Sequence, residues 1–165
     1  VMACARDSIK ADAFGSLRQN RTRKFDLVIL DPPSLAKRAS EKAAALTGLS
    51  EREVFDTVLQ RERLGSTGVG NGIAIPHGKI NSVKRIAGVF AQLDTPVDFE
   101  ALDDQPVDIV FLLLAPENAG ADHLKALSRI ARMLRDPERI AKLRTAHDAS
   151  LLYELLTSQP TSNAA

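Results

Sequence analysis

The run Val107–Ala115 (VDIVFLLLA) constrains the fold more than any other stretch, because it is almost continuously apolar over the length of a strand. A strand with one face in water would alternate polar and apolar side chains, whereas a strand covered on both faces does not. We therefore predict a central strand with further layers above and below it. Additional strands are predicted at Ile73–Ile75 and Arg85–Leu93.

Helix signals surround these strands. A helix at Ala36–Leu46, capped by Ser34 or Ser40, is predicted to end at Gly48. Ser50-Glu51-Arg52-Glu53 is a capping box and predicts a helix over 51–63. Asp122 is predicted to cap a helix to about Arg135, and Asp136 and Asp148 are predicted to cap two more. Four side chains of the helix after Asp122 are expected to face the core: Leu124, Leu127, Ala131 and Leu134.

Composition excludes several classes of protein. The 165 residues are enough for one domain with its own core, and a net charge of +1 provides no field to attract nucleic acid or a membrane surface. The only cysteine, Cys4, cannot form an intramolecular disulfide, and the three histidines lack metal-ligand spacing. No apolar run approaches the roughly 20 residues that span a bilayer, and residues 1–15 lack a signal-peptide core. We expect a cytoplasmic protein without metal or cofactor.

The stretch Leu64–Ile80 (LGSTGVGNGIAIPHGKI) holds five glycines, two hydroxyls and one histidine, His77. Such a glycine density indicates either a flexible loop or a backbone cradle around a reactive side chain. The nearest Walker-type match lacks the magnesium-binding hydroxyl, and the glycines precede a strand, unlike a dinucleotide-binding turn. What remains is a histidine nucleophile, which requires hydrogen-bond donors around the phosphoryl oxygens.

The chain offers such donors near the loop. The expected phosphate cradle consists of Ser66, Thr67 and the amides of Gly68 and Gly70. Arg61 lies near the edge of the apolar stripe of its helix, as either a surface arginine or a cation directed at the loop. His123, in the first turn of its helix, is either a surface residue or a second site histidine.

The stretch RERLGSTGVGNGIAIPHGKI resembles the phosphorylation-site signature of enzyme IIA domains of the bacterial phosphotransferase system, in the mannitol/fructose class. It looks most like the nitrogen-type regulatory branch. The similarity continues through VDFEALDDQPVDIVFLLLAPE and DHLKALSRIARMLRD, from about Ala43 to Leu156. This resemblance implies an α/β fold: a single domain with a mixed parallel/antiparallel sheet flanked by helices on both faces.

The same resemblance implies a mechanism. His77 matches the residue phosphorylated through Nε2 by a phosphocarrier protein similar to HPr, Arg61 matches the active-site arginine, and His123 the supporting histidine. Nitrogen-type members regulate partners, including potassium-transport and sensor-kinase proteins. The alternative is a sugar-type enzyme IIA that passes its phosphoryl group to an enzyme IIB domain.

The first 38 residues do not fit that pattern. DAFGSLRQNRTRKFDLVILDPPSLAKR resembles the fourth strand and Asp-Pro-Pro loop of class I RNA methyltransferases that use S-adenosylmethionine, with FDLVIL as the strand. The glycine-rich donor-binding turn of that family is missing, so a methyltransferase remnant is the less favoured hypothesis. We expect an atypical segment at 1–38 in a chimeric or mis-joined chain, an enzyme IIA domain at 39–157 and a disordered tail at 158–165.

Overall fold

The structure, a computed structural model, describes residues 35–158. Five α-helices lie in this part of the chain: α1 (Leu35–Thr47), α2 (Glu51–Glu62), α3 (Gly120–Met133), α4 (Pro137–Thr145) and α5 (Ala149–Thr157). The strands are β1 (Gly68–Gly70), β2 (Ile73–Ala74), β3 (His77–Ile80), β4 (Ala87–Val97) and β5 (Val107–Pro116). A short 3₁₀ turn, Glu117–Ala119, leads from β5 into α3.

Strand β5 is central. On one side β4 pairs with it antiparallel, and on the other side β2 and β3 pair with it parallel. The same register runs through β2 and β3, because Ile73 lies opposite Ile109 and His77 opposite Leu113. These two strands are therefore one line of chain interrupted at Ile75-Pro76, where the proline has no N–H to donate. Pro76 still accepts a hydrogen bond from the Leu113 amide, at 2.9 Å.

The pleat of β5 divides the core into two layers. Val110, Leu112 and Leu114 belong to the cluster that includes side chains of α1 and α2. Ile109, Phe111 and Leu113 point the other way, into the cluster formed with α3, α4 and α5. The mixed sheet with helices on both faces is the fold that the family resemblance implied. The continuous apolar run of β5 follows from burial on both sides.

The glycine-rich stretch starts as a tight hairpin. Gly70 pairs with Ile73, and the two residues between them, Asn71 and Gly72, have φ values of 57° and 74°. Positive φ at both central positions is the geometry of a type I′ turn, for which Asn-Gly is the preferred sequence. This turn was missed in the sequence analysis, although the Asn-Gly pair is its usual signal.

A long-range ion pair holds this turn in place. Arg144 of α4 makes two hydrogen bonds to the Asp108 carboxylate, at 2.7 and 2.8 Å, and donates a third to the Asn71 carbonyl at 2.7 Å. Asp108, in the central strand, also donates its amide to the Gly72 carbonyl. The hairpin before the site is thereby fastened to both the sheet and the helical layer.

The prediction that Asp122 caps α3 is wrong by three residues, because the N-cap is Ala119. Helix α3 begins at Gly120, directly after the 3₁₀ turn, and its N-cap residue Ala119 makes no side-chain capping bond. Asp122 lies in the first turn, where its carboxylate pairs with Lys125. The buried residues of α3 are His123, Ala126 and Ile130, followed by Leu134 at its end. Leu124, expected in the core, is 65% exposed.

The other predicted elements of the described region are present with shifted ends. Strand β4 runs four residues beyond the predicted Leu93, and the expected strand at Ile73–Ile75 is the two-residue β2. Asp136 and Asp148 cap α4 and α5 through their carboxylates, as predicted. Three predictions lie outside the described residues: the strand at Phe25–Leu30, most of the methyltransferase-like segment, and the tail beyond Ser158.

Helix α2 begins as the capping box predicted. Ser50 is its N-cap residue, with an extended backbone, and the Ser50 hydroxyl accepts the Glu53 amide at 3.2 Å. This bond satisfies one of the amides that a helix start leaves without an intrahelical partner. Because α2 carries Arg61 in its last turn, the cap supports the helix that delivers this arginine.

Replacing Ser50→Ala should lower the free energy of unfolding by about 1 kcal/mol, because the cap bond is lost. Denaturant unfolding followed by circular dichroism measures the change. Ser128→Ala, on the exposed side of α3, is the matched control and should change stability by less than about 0.5 kcal/mol. Equal stability of wild type and Ser50→Ala would contradict the capping role.

Candidate active site

Two groups hold the imidazole of His77 from opposite sides. Nδ1 lies 2.8 Å from the backbone carbonyl oxygen of Ile75, which can only accept a hydrogen bond. Nδ1 therefore carries the proton, and Nε2 is left with a lone pair. The hydrogen-bond partner thus fixes the tautomer, and it makes Nε2 the nucleophilic nitrogen of a ring that is only partly buried.

Arg61 contacts that nucleophilic nitrogen directly. Its Nε–H donates to His77 Nε2 at 3.1 Å, and its Nη1 donates to the Gly65 carbonyl at 2.9 Å. The second bond ties the guanidinium to the loop that follows α2. These bonds use two of the five guanidinium donors, and up to three stay available for an anionic ligand.

The surroundings of His77 favour its neutral form. Burial lowers the pKa of His77 below its ordinary value of 6.5, and the positive charge of Arg61 lowers it further. The hydrogen bond to Ile75 and the Glu62 carboxylate act in the opposite direction without reversing the shift. These effects favour an Nε2 that carries no proton at neutral pH.

His123 is buried beside His77. Its side chain is 5% exposed, and the two ring centroids lie 5.7 Å apart with the planes tilted by 49°. Burial, and then the charges of His77 and Lys79, lower the pKa of His123. Within the described residues its Nδ1 is a buried nitrogen with no hydrogen-bond partner. Such an unpaired polar atom is costly in a fold and points to a role with a ligand.

The hydroxyls predicted for the phosphate cradle are directed elsewhere. Ser66 Oγ donates to the Phe99 carbonyl at 2.8 Å and accepts the Gly68 amide at 3.1 Å. Thr67 Oγ1 donates to a Glu62 carboxylate oxygen at 2.6 Å, and its amide donates to the other carboxylate oxygen at 2.6 Å. Each hydroxyl has one proton, so both protons are used within the protein.

Gly68 and Gly70, the other predicted cradle residues, lie in β1. A side chain at Gly68 would meet Ala101, and one at Gly70 would meet Asp103, so both glycines face the loop before β5. The structure thus brings Arg61, His77 and His123 together. It places Gly68 and Gly70 in the β1–β2 hairpin, and Ser66 and Thr67 in the segment that leads into it. A cradle role for these four residues stays a prediction.

Gly78 sets how closely α2 approaches the strand that carries His77. A Cβ atom at this position would lie 2.6 Å from Cγ2 of Thr57 on α2, closer than two carbon atoms can approach. Thr57 is β-branched and therefore restricted in χ1, and its hydroxyl already donates to the Glu53 carbonyl. The glycine thereby permits the close packing that keeps Arg61 within reach of His77.

Glu62 was not among the predicted site residues, yet it binds both donors of Thr67 beside the site. The sequence offers no local signal for this contact, because a glutamate in the last turn of a helix is usually solvated. Among residues 35–158, no group of three or more His, Cys, Asp or Glu side chains is placed to hold a metal ion. In the same range, no helix has both the length and the apolar character needed to cross a membrane.

A neutral imidazole with a free lone pair, next to a guanidinium and a second imidazole, can attack an electrophile that carries negative charge and stabilise that charge. Comparison with known proteins agrees with this chemistry. The family model "Phosphoenolpyruvate-dependent sugar phosphotransferase system, EIIA 2" matches residues 25–159. The chain belongs to this family of phosphotransfer components.

Within the family, the relatives point to one branch. A nitrogen regulatory protein of Bradyrhizobium diazoefficiens is 60% identical over 123 residues, which cover 74% of this chain and 80% of that protein. A fructose-specific EIIA component of Haloferax volcanii is 35% identical over 138 residues, covering 80% of this chain and 90% of that protein. The crystal structure of a nitrogen regulatory protein IIA-Ntr from Neisseria meningitidis superposes with a TM-score of 0.76. It is 35% identical, and the match covers 81% of this chain and 97% of that one.

Removing the Arg61 charge should raise the pKa of His77 towards 6.5, because both the nearby cation and the hydrogen bond to Nε2 favour the neutral ring. An NMR titration of the His77 ring in wild type and Arg61→Ala measures the change. Arg63→Ala, an exposed arginine two residues along the chain, is the control and should leave the pKa unchanged. An unaltered or lower pKa in Arg61→Ala would contradict this electrostatic role.

The Gly78 packing predicts a coupled pair of mutations. Gly78→Ala should destabilise the fold by about 1–3 kcal/mol through overpacking. Thr57→Ser removes the obstructing methyl group, so the double variant should recover part of that loss. Denaturant unfolding of the two single variants and the double variant gives the coupling energy. Additive effects would show that the Gly78–Thr57 contact does not set the packing distance.

Proposed function

We propose that this chain accepts a phosphoryl group on Nε2 of His77 from a phosphohistidine carrier similar to HPr. The observation that supports it most directly is the pair of contacts on the ring. The Ile75 carbonyl holds the proton on Nδ1, and the Arg61 guanidinium donates a hydrogen bond to Nε2. Membership of the EIIA 2 family supplies the reaction class.

In the proposed step, the Nε2 lone pair of His77 forms a bond to phosphorus. The bond between phosphorus and the carrier's ring nitrogen breaks, and its electron pair stays on that nitrogen. No proton has to move on His77, because Nδ1 keeps its proton and continues to donate it to the Ile75 carbonyl. The positive charge that the ring gains on bonding to phosphorus is stabilised by this carbonyl dipole.

Arg61 and His123 are proposed to stabilise the phosphoryl oxygens. The transferred group spreads its negative charge over three equatorial oxygens, so catalysis depends on donors placed around them. As the phosphoryl group reaches Nε2, the Arg61 Nε–H exchanges its imidazole acceptor for a phosphoryl oxygen. His123 supplies a neighbouring imidazole whose Nδ1 makes no hydrogen bond within the described residues before the ligand arrives.

The nitrogen-type regulatory role is the favoured use of this phosphorylation. It is supported by the 60% identity to the nitrogen regulatory protein, against 35% to the fructose-specific component. In this role the phosphorylated and unphosphorylated forms differ in their binding to regulated partners, for which potassium-transport and sensor-kinase proteins are candidates. A sugar-type component passing its phosphoryl group to an enzyme IIB domain is the less favoured alternative. The proposed compartment is the cytoplasm, where such carriers work.

Incubation with phosphoenolpyruvate and the upstream phosphocarriers should label the wild-type chain with acid-labile, alkali-stable phosphate. His77→Ala should not be labelled, because it lacks the acceptor nitrogen. His147→Ala, which alters an exposed histidine away from the ring pair, is the control and should label at the wild-type rate. Equal labelling of His77→Ala and wild type would refute the proposal.

A further inference from the structure

The end of the β1–β2 ladder departs from the regular antiparallel pattern beside His77. Gly68 lies opposite Ala74, so Thr67 and Ile75 form the next pair, and the Ile75 amide donates to the Thr67 carbonyl at 3.0 Å. In a hydrogen-bonded antiparallel pair the two residues exchange both bonds, so the Thr67 amide would donate to the Ile75 carbonyl. Instead, this amide donates to Glu62 Oε1 at 2.6 Å.

The diverted bond leaves the Ile75 carbonyl to His77. That oxygen lies 2.8 Å from Nδ1 and determines which ring nitrogen carries the proton. We propose that Glu62 is a positioning residue: by taking the Thr67 amide out of the ladder, it reserves the Ile75 carbonyl for His77 and so maintains Nε2 as the nucleophile. Glu62 acts on the reaction only through these two residues.

The chemistry of Glu62 suits this task. Glu62 accepts the Thr67 N–H through Oε1 at 2.6 Å, so this amide is already paired and does not compete for the Ile75 oxygen. It also accepts the Thr67 hydroxyl at 2.6 Å, so both carboxylate oxygens hold the same residue. This two-point contact fixes the strand end with a geometry that a single bond would not provide.

Adjacent residues at the end of α2 thereby control the two nitrogens of one imidazole. Arg61 contacts Nε2 directly, and Glu62 acts on Nδ1 through Thr67 and Ile75. The last turn of α2 therefore carries both the positive charge next to Nε2 and the carboxylate that acts on the position of the proton on the ring.

The test is the tautomer of His77 in the unphosphorylated protein, read from ¹⁵N shifts and two-bond ¹H–¹⁵N couplings at a pH above the His77 pKa. Wild type should show a protonated Nδ1 and a bare Nε2. In Glu62→Ala the released Thr67 amide competes for the Ile75 carbonyl. The ratio of Nδ1–H to Nε2–H forms should then fall on the order of five- to tenfold, the effect of one weakened hydrogen bond.

Two further variants separate the hydrogen bond from the charge. Glu62→Gln keeps an oxygen acceptor for the Thr67 amide and should retain the Nδ1–H tautomer. Glu62→Asp keeps the charge but shortens the reach, so it should shift the ratio as Glu62→Ala does, and it serves if Glu62→Ala fails to fold. Gln60→Ala, on the exposed face of the same helix turn, is the matched control and should match wild type.

An Nδ1–H tautomer retained in Glu62→Ala or Glu62→Asp would overturn the inference. A tautomer that shifted as much in Glu62→Gln as in Glu62→Ala would also overturn it, because charge and not the amide contact would then control the ring. The effect on phosphoryl transfer rests on the proposed function, but the tautomer is measured without a phosphoryl donor. Failure of His77 to accept phosphate is therefore distinguishable from failure of Glu62 to position the ring.

Discussion

The candidate site depends on one arrangement, in which the imidazole of His77 is hydrogen-bonded at both of its nitrogens. The Ile75 carbonyl accepts from Nδ1 of His77, and the Arg61 guanidinium donates to Nε2. The first bond requires a carbonyl that is not paired within the β1–β2 ladder. The Ile75 carbonyl meets this requirement because the strand is interrupted at Ile75-Pro76 and the Thr67 amide donates to Glu62 instead. The second requires the end of α2 to approach β3 closely, which Gly78 permits. The interrupted strand, the Thr67 amide outside the ladder and the close packing at Gly78 therefore all affect the surroundings of the His77 ring.

The electrostatics of the site follow from the same arrangement. Burial and nearby cations lower the pKa values of His77 and His123, so two neutral imidazoles lie side by side. Arg61 already donates to the lone pair of Nε2 and to the Gly65 carbonyl, and up to three further guanidinium donors stay available for an anionic ligand. Among the described residues, Nδ1 of His123 likewise has no hydrogen-bond partner. The site therefore keeps hydrogen-bonding groups available for a bound anion.

Local signals were sufficient for part of this description. The apolar run of β5 predicted the central strand, Ser50 predicted the start of α2, and the glycines around His77 predicted the position of the site. The start of α3 was misplaced because the chain enters that helix from a 3₁₀ turn without a capping side chain. A separate error came from the apolar spacing of that helix, which placed the first three buried positions one residue too far along the chain, so Leu124 was expected in the core where His123 is buried instead.

Other features could not be predicted because they are set by tertiary contacts. The Arg144–Asp108 ion pair joins residues 36 apart in sequence. Glu62 and Thr67 are five residues apart, and the irregular segment between α2 and β1 that brings them together has no signature in the sequence. Ser66 and Thr67 have the composition of a phosphate-binding loop, but their hydroxyl protons are used by Phe99 and Glu62. Residue type alone does not indicate which way such a hydroxyl points.

The most direct test of the central claim is the position of phosphorus on the ring. After phosphorylation, ³¹P and ¹⁵N NMR of the chain labelled in its histidine ring nitrogens identifies the nitrogen bonded to phosphorus. A His77 ring phosphorylated at Nε2, with Nδ1 still protonated, is the expected result. Phosphorus on Nδ1 of His77, or on His123, would contradict it, because the hydrogen bond to Ile75 would then not have selected the nucleophile.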